Sequence, residues 1–198
     1  MSGSITQFKS SFSTDVARPS KFDVDIPIPL TLLAYYNTAR QLKFRCEKAA
    51  MPERTISTFD QKIYGPVEKF PYQSTYNTAE FTFIMSDDMS EKEFFDGWME
   101  LINPSSTFNF KYKGDYVTDI TVNQYDVTNT VSYSVNLVDA FPISVNQLDL
   151  DWSSTDYHKL TVVFAFTYWK NNSILSALKG AFTQGVGGLA SSMGGLGG

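Results

Sequence analysis

A single cysteine, Cys46, and a single histidine, His158, are all that 198 residues provide of the side chains most used for zinc binding and nucleophilic catalysis. One cysteine closes no internal disulfide. Together the two fall short of the about four ligands of a structural zinc site. Ser-His or Cys-His catalysis would have to run through His158. Charge is scarce too, at 19% against roughly 25% in soluble domains. The 16 basic residues are outnumbered by 21 acidic ones, for a net charge of -5. Such a chain cannot neutralise phosphates overall, so a general nucleic-acid binder is excluded unless a local basic patch exists. No run approaches the roughly 18 apolar residues of a membrane helix. The opening Met1-Ser2-Gly3-Ser4 lacks the basic and apolar regions of a signal peptide, so a soluble, cytosolically made chain is expected. What is abundant is aromatic: 16 Phe, 11 Tyr and 3 Trp, 15% of the chain, the reverse of a disordered composition. The length suits one domain with extensions.

Three zones divide it. Residues 1–19, ending in Ala17-Arg18-Pro19, mix Ser, Thr and Phe without period and read as an arm. Residues 20–170 carry the strand signals. Residues 171–198 form an extension in which eight of the 12 glycines lie between Gly180 and Gly198; a short apolar helix is expected there from Ile174, Leu175, Leu178 and Phe182. In the middle zone Phe22, Val24 and Ile26 alternate with acids, and Leu42, Phe44 and Cys46 alternate with Lys43, Arg45 and Glu47. Phe81, Phe83 and Met85 share a face. So do Val131, Tyr133, Val135 and Leu137, and again Leu160, Val162, Phe164, Phe166 and Tyr168. Tyr116–Tyr125 reads as a further strand with a polar face. Period-two alternation of this kind means half-buried antiparallel strands. One segment has the helical period. Ser90 and Glu93 suggest a capping box, Phe94, Trp98, Leu101 and Ile102 form an apolar stripe, and Pro104 ends the run. The expected fold is mainly β: two packed antiparallel β-sheets, sandwich-like or barrel-like, with one flanking α-helix.

Catalytic chemistry is hard to assemble from what remains. His158 follows Asp156, but no nucleophile sits in a recognisable turn beside it. Cys46 lies on the apolar face of its expected strand, where it acts as a small hydrophobe. The acidic pairs Asp87-Asp88 and Asp149/Asp151 suit a helix N-terminus and a solvated edge, and either lacks the clustered oxygen ligands of a metal site. No phosphate-binding glycine loop is present. No enzyme and no cofactor is expected. Residues 51–78 form a long connection with Pro52, Phe59, Tyr64, Phe70, Tyr72 and Tyr76, and Pro27–Arg40 form a second insertion with Leu30, Leu32, Leu33 and Tyr36. Long aromatic loops of this kind are ordered by contact, with their own core or with a partner. A monomeric β-sandwich that binds carbohydrate or another small ligand through exposed rings also fits this composition.

Four marks in order resemble a known family. They are Ala17-Arg18-Pro19 with Phe22-Asp23-Val24; then Phe44, Cys46 and Ala49 leading to Met51-Pro52. Next come Phe81-Thr82-Phe83-Ile84, Asp87-Asp88 and the helix with Phe94 and Trp98. The last runs from Pro142-Ile143 and Val145 through Leu148 and Leu150-Asp151-Trp152 to Leu160–Phe166 and Tyr168-Trp169. From about Ala17 to Trp169 the chain resembles the tail tube proteins of contractile-tailed bacteriophages and the tube subunits of contractile injection systems. The resemblance implies six copies closing into a ring with a continuous inner β-barrel. The rings would stack inside a contractile sheath into a tube of the virion tail that conducts DNA from capsid to cell. The partners implied are the chain itself, sheath, baseplate and tail-terminator proteins, and a tape-measure protein in the lumen. DNA would pass without specific binding, and no membrane is involved. Met51, Pro52, Phe59, Tyr64, Phe70 and Tyr72 would belong to the ring-stacking loop. Thr121, Asn123, Ser132, Ser134 and Asn136 are candidates for the lumen wall. A baseplate tube-initiator or an injection-system tube subunit is the close alternative.

Overall fold

The computed structural model describes residues 16–62 and 64–172, with Ile5, Gln7 and Phe8. Most of the arm, and the extension with its expected helix at Ile174–Phe182, lie outside the described residues. Alternation produces strands where it was clearest. In chain order these are β1 (Phe22–Asp25), β2 (Cys46–Ala49), β3 (Arg54–Gln61), β4 (Glu68–Tyr76), β5 (Ala79–Ile84), β6 (Thr118–Tyr125), β7 (Val131–Val145), β8 (Lys159–Ala165) and β9 (Tyr168–Asn171). The helices are α1 (Tyr36–Arg45), preceded by a 3-10 segment over Leu30–Tyr35, then α2 (Ser90–Ile102) and a single turn α3 (Lys113–Tyr116).

All pairing is antiparallel, and the long strand β7 belongs to two sheets. Its first half pairs with β6, which pairs with β1, and on its other side with β9. Its second half pairs with β8, and the order continues through β5 to β2. The change of sheet falls between Ala140, still paired with β6, and Phe141, paired with β8, just after a bulge in which Asp139 has a φ of 56°. The inward residues of both sheets, Val24, Ile120, Val122, Val135 and Leu137 on one and Phe81, Phe83, Leu160, Val162 and Phe164 on the other, join one core. Helix α2 closes it with Phe94, Phe95, Trp98 and Ile102. Rings interlock there edge-on and tilted: Phe95 meets Phe83 at 5.5 Å and Trp98 meets Phe164 at 6.0 Å. Such contacts add specificity to the burial energy of large rings.

Three local expectations are corrected. The stretch from Leu42 to Arg45 is not part of a strand, which begins only at Cys46, and the insertion from Pro27 to Arg40 is not a loop from Leu30 onward, because both contribute to the helical segment. Leu32, Ala39 and Leu42 go into the core, while Lys43 and Arg45 lie in the last turn, where cations suit the helix dipole. The fold therefore carries a second substantial helix beside the expected one. Third, Ser90 and Glu93 form no capping box. The N-cap position is Met89, in the left-handed region with φ 55°. Asp88 accepts the Ser90 N–H at 3.3 Å, and Glu93 accepts from the Tyr35 hydroxyl at 3.3 Å.

Candidate assembly surfaces

The expected long loop is a β-hairpin. Strands β3 and β4 pair from Arg54↔Tyr76 to Gln61↔Glu68, with a bulge where Thr58 faces Pro71. They form their own two-stranded sheet, bonded to no other strand. Both strands of the hairpin are almost wholly exposed, and none of its described residues is in the core. On it Phe59 stacks on Phe70 at 5.8 Å and meets Tyr72 edge-on at 6.3 Å. Tyr64, at the tip, is 95% exposed. Met51 and Pro52 lie in the approach to β3. The base packs on the body through Tyr76 against Phe166 at 6.5 Å, and its two ends are joined by Asn77 donating to Glu53 at 2.8 Å. An isolated two-stranded hairpin is marginal in water. An aromatic one held clear of its own core is a surface that gains most by meeting another.

Part of the candidate polar face is a hydrogen-bonded network centred on Asp23. Register places Thr121 opposite Asn136 and Asn123 opposite Ser134. The Ser134 hydroxyl donates to Asn123 Oδ1 at 2.7 Å, and Asn123 Nδ2 donates to Asp23 at 2.9 Å. Tyr125 donates to the other Asp23 oxygen at 2.7 Å, where the Lys43 ammonium also sits at 3.0 Å. Burial alone would raise the Asp23 pKa; the bonds from Tyr125 and Asn123 and the Lys43 charge outweigh it and hold that carboxyl below its usual range. Ser134 is buried, covered in part by Asn172, which donates to it at 3.3 Å. Ser132 is exposed and bonds the Gln124 carbonyl at 3.1 Å. Of the five candidates only Asn123 and Ser134 are joined in this network; Asn136 Oδ1 is buried with no hydrogen-bond partner among the described residues, and Ser134 is the least accessible of the five.

The remaining titratable candidates stand apart. His158 uses its carbonyl to accept the Met85 N–H at 3.1 Å. Burial pushes the Cys46 thiol up to about 12. Asp88 is held low chiefly by the Ser86 hydroxyl, and Asp151 by the Ser153 N–H and hydroxyl. Among the described residues no group of three or more His, Cys, Asp or Glu is placed to hold a metal ion. Glu91, fully buried at the start of α2, pairs with Arg45 at the end of α1 and accepts the Ser86 N–H at 3.0 Å.

Two exposed surfaces escaped the sequence reading. Phe108, Phe110 and Tyr112 point outward along an irregular stretch after α2, and Leu150 and Trp152 stand out of the β7–β8 loop. The first had a signal, strict alternation straight after Pro104. The second had entered only as a mark of resemblance.

The sequence profile of phage tail tube proteins matches residues 17–172, which takes in both sheets, the hairpin and α2. The chain belongs to the phage tail tube protein family. No curated protein matches the chain in sequence. Solved structures with the same fold come from contractile injection systems. A chain of the six-fold symmetrised anti-feeding prophage baseplate has a TM-score of 0.57 at 12% identity, covering 80% of this chain and 96% of that one. A chain of the sheath/tube terminator of an extracellular contractile injection system, PVC, has 0.55 at 15% identity, covering 80% and 97%. A chain of the anti-feeding prophage tube-terminating cap has 0.54 at 15% identity, covering 81% and 97%. This tail tube protein is thus a structural subunit, and the resemblance seen in its sequence is borne out.

Proposed function

We infer that copies of this chain close into six-membered rings that stack into a hollow tail tube, whose lumen conducts DNA from capsid to host cell. The observation that carries the reading is the β3–β4 hairpin, an exposed aromatic arm outside the domain's own core. Met51, Pro52, Phe59, Tyr64, Phe70 and Tyr72 are its contact residues toward neighbouring copies and the next ring. The strand order supports ring closure. β1 and β2 end their sheets, and lateral pairing with neighbours removes such edges. A head-to-tail contact between rings does not close on itself and grows a filament.

The face bearing Thr121, Asn123, Ser132, Ser134 and Asn136 is the proposed lumen wall. Of its hydroxyls and amides, Ser134 and Asn123 are engaged with each other and Ser132 with the backbone, and Lys43 offsets the Asp23 charge. A wall of uncharged hydroxyls and amides gives phosphates no cation to pair with. Six copies at -5 each add a formal -30 to the ring, which repels DNA at longer range. The tube would lie in the virion tail, with sheath outside, tape-measure protein inside, and baseplate and terminator at its ends. The particles that hold the structural neighbours include a baseplate and two terminators, which favours a tube-end subunit as the second reading.

Negative-stain microscopy of the concentrated protein separates the readings. Open-ended tubes of uniform bore are expected. Single rings that never elongate would transfer the assignment to a tube-end subunit, and a monomer at every concentration would overturn both.

A further inference from the structure

We propose that the aromatic strip Phe108–Tyr112 is a docking surface for a second copy of this chain, and that it seats on that copy's acidic loop around Trp152. The inference rests on the self-assembly proposed above but concerns a contact distinct from the hairpin. Phe108, Phe110 and Tyr112 are each more than 70% exposed, in an irregular stretch that belongs to neither sheet. Three rings of this size can bury roughly 450 Å², over half of the about 800 Å² that each partner contributes to a stable interface. No solitary domain gains from holding such a strip in water.

The complementary surface lies elsewhere on the same chain. Between β7 and β8, Leu150 and Trp152 are almost wholly exposed, and Asp149, Asp151 and Asp156 surround them. None of the three acids is ion-paired among the described residues. With Trp152 they border a hollow of about 450 Å³, room for an inserted aromatic side chain. The strip brings the opposite charge, Lys111, between Phe110 and Tyr112; its neighbour Lys113 is committed to Asp139 and Thr167 within the chain.

Position forbids the two from meeting within one copy. The strip leaves the C-terminal end of α2, where the Lys111 N–H donates to the Ile102 carbonyl at 3.0 Å. The loop adjoins the other end, where Met85, just before α2, donates to the His158 carbonyl at 3.1 Å. A helix of 13 residues separates them, about 20 Å at 1.5 Å per residue. Two complementary patches at opposite ends of one subunit make a heterologous contact, which propagates from copy to copy.

The test is a cross-link in assembled full-length protein. Cys46→Ala removes the native thiol, and Phe110→Cys with Trp152→Cys places one new thiol on each surface. Mild oxidation of assembled particles is expected to give a ladder of covalent multimers, and neither single-cysteine variant should link. In parallel, Phe108→Ser with Phe110→Ser should raise the concentration needed for assembly by roughly tenfold or more with the thermal transition unchanged. Particles that form normally but yield no ladder, or that link through Phe110→Cys alone, would overturn this contact while leaving the tube intact. Failure of the unmodified protein to assemble would instead count against the proposed function.

Discussion

Lys113 donates to the carboxylate of Asp139 at 2.7 Å, with Thr167 on the same oxygen at 3.1 Å, and Asp139 lies in the bulge of β7 just before it leaves one sheet for the other. Its φ of 56° lies in the left-handed region, which Asp and Asn tolerate and β-branched residues do not. The ion pair itself is solvent-exposed and contributes little. The backbone demand dominates. Asp139→Asn should therefore be nearly neutral, and Asp139→Val should cost about 2 kcal/mol in urea denaturation. Equal losses for both variants would assign the effect to the ion pair instead.

Arg45 and Glu91 join α1 to α2 unequally. Glu91 is fully buried, whereas Arg45 keeps 30% of its side chain in solvent. Removing the arginine strands a carboxylate in the core; removing the carboxylate leaves a cation that can still reach water. Arg45→Met should cost about 3–5 kcal/mol, more than Glu91→Gln, and the double change Arg45→Met with Glu91→Met should recover much of it. A double-mutant cycle by chemical denaturation measures this. Additive losses would rule out the pair as a coupled unit.

The same local pattern can have opposite outcomes, which sets how much of this fold was legible. Phe94, Trp98 and Ile102 repeat at helical spacing and are all buried on α2. Alternation likewise placed β5 and β8. Leu42 and Phe44 also alternate, yet Leu42 is completely buried and Phe44 is 87% exposed. On a helix, residues two apart point in different directions, and here Ala39 and Leu42, three apart, face the core. Basic residues at Lys43 and Arg45 and an unbroken run without Gly or Pro were the available helix signals. Pro71 hid the hairpin, since proline argues against a strand except at a bulge, and it sits at the bulge opposite Thr58. The bend at Asp139 had no glycine to announce it. The polar face could be read from β6 and β7, but the contributions of Asp23 and Lys43 depend on pairing between segments far apart in sequence.

The Asp23 network predicts an acid limb in the stability profile. Its folded pKa lies below the unfolded value of about 3.9, so its contribution is complete above that value and is lost as pH falls through the folded one. Asp23→Asn should lower stability at neutral pH and flatten the decline below about pH 4. Denaturation midpoints collected from pH 7 to pH 2.5 test this. Parallel curves for the two proteins would show that Asp23 is not among the groups responsible.

Cys46 should be chemically silent in the native protein. Burial raises its pKa to about 12, and its Sγ–H donates to the Lys48 carbonyl at 3.4 Å. At pH 8 the thiolate fraction is then roughly one in ten thousand, against about a quarter for an ordinary thiol of pKa 8.5. A disulfide reagent such as DTNB should label the native protein at least a hundredfold more slowly than the urea-unfolded chain. Equal rates would mean that the β2 edge opens readily.

Excision of the hairpin separates folding from assembly most directly. Its ends are already close, because Asn77 donates to Glu53 at 2.8 Å, so Arg54–Tyr76 can be replaced by a short Gly-Asn link. None of the described residues in the excised span belongs to the core, and the ring pair that anchors it to the body is Tyr76 with Phe166. The shortened protein should keep a cooperative thermal transition within a few degrees of the parent, since that ring pair contributes about 1 kcal/mol. Tubes should vanish from negative-stain fields at concentrations where the parent polymerises. Loss of the thermal transition would make the hairpin part of the fold. Unchanged tubes would remove it from ring stacking and leave other surfaces, such as the strip at Phe108–Tyr112, to hold the particle together.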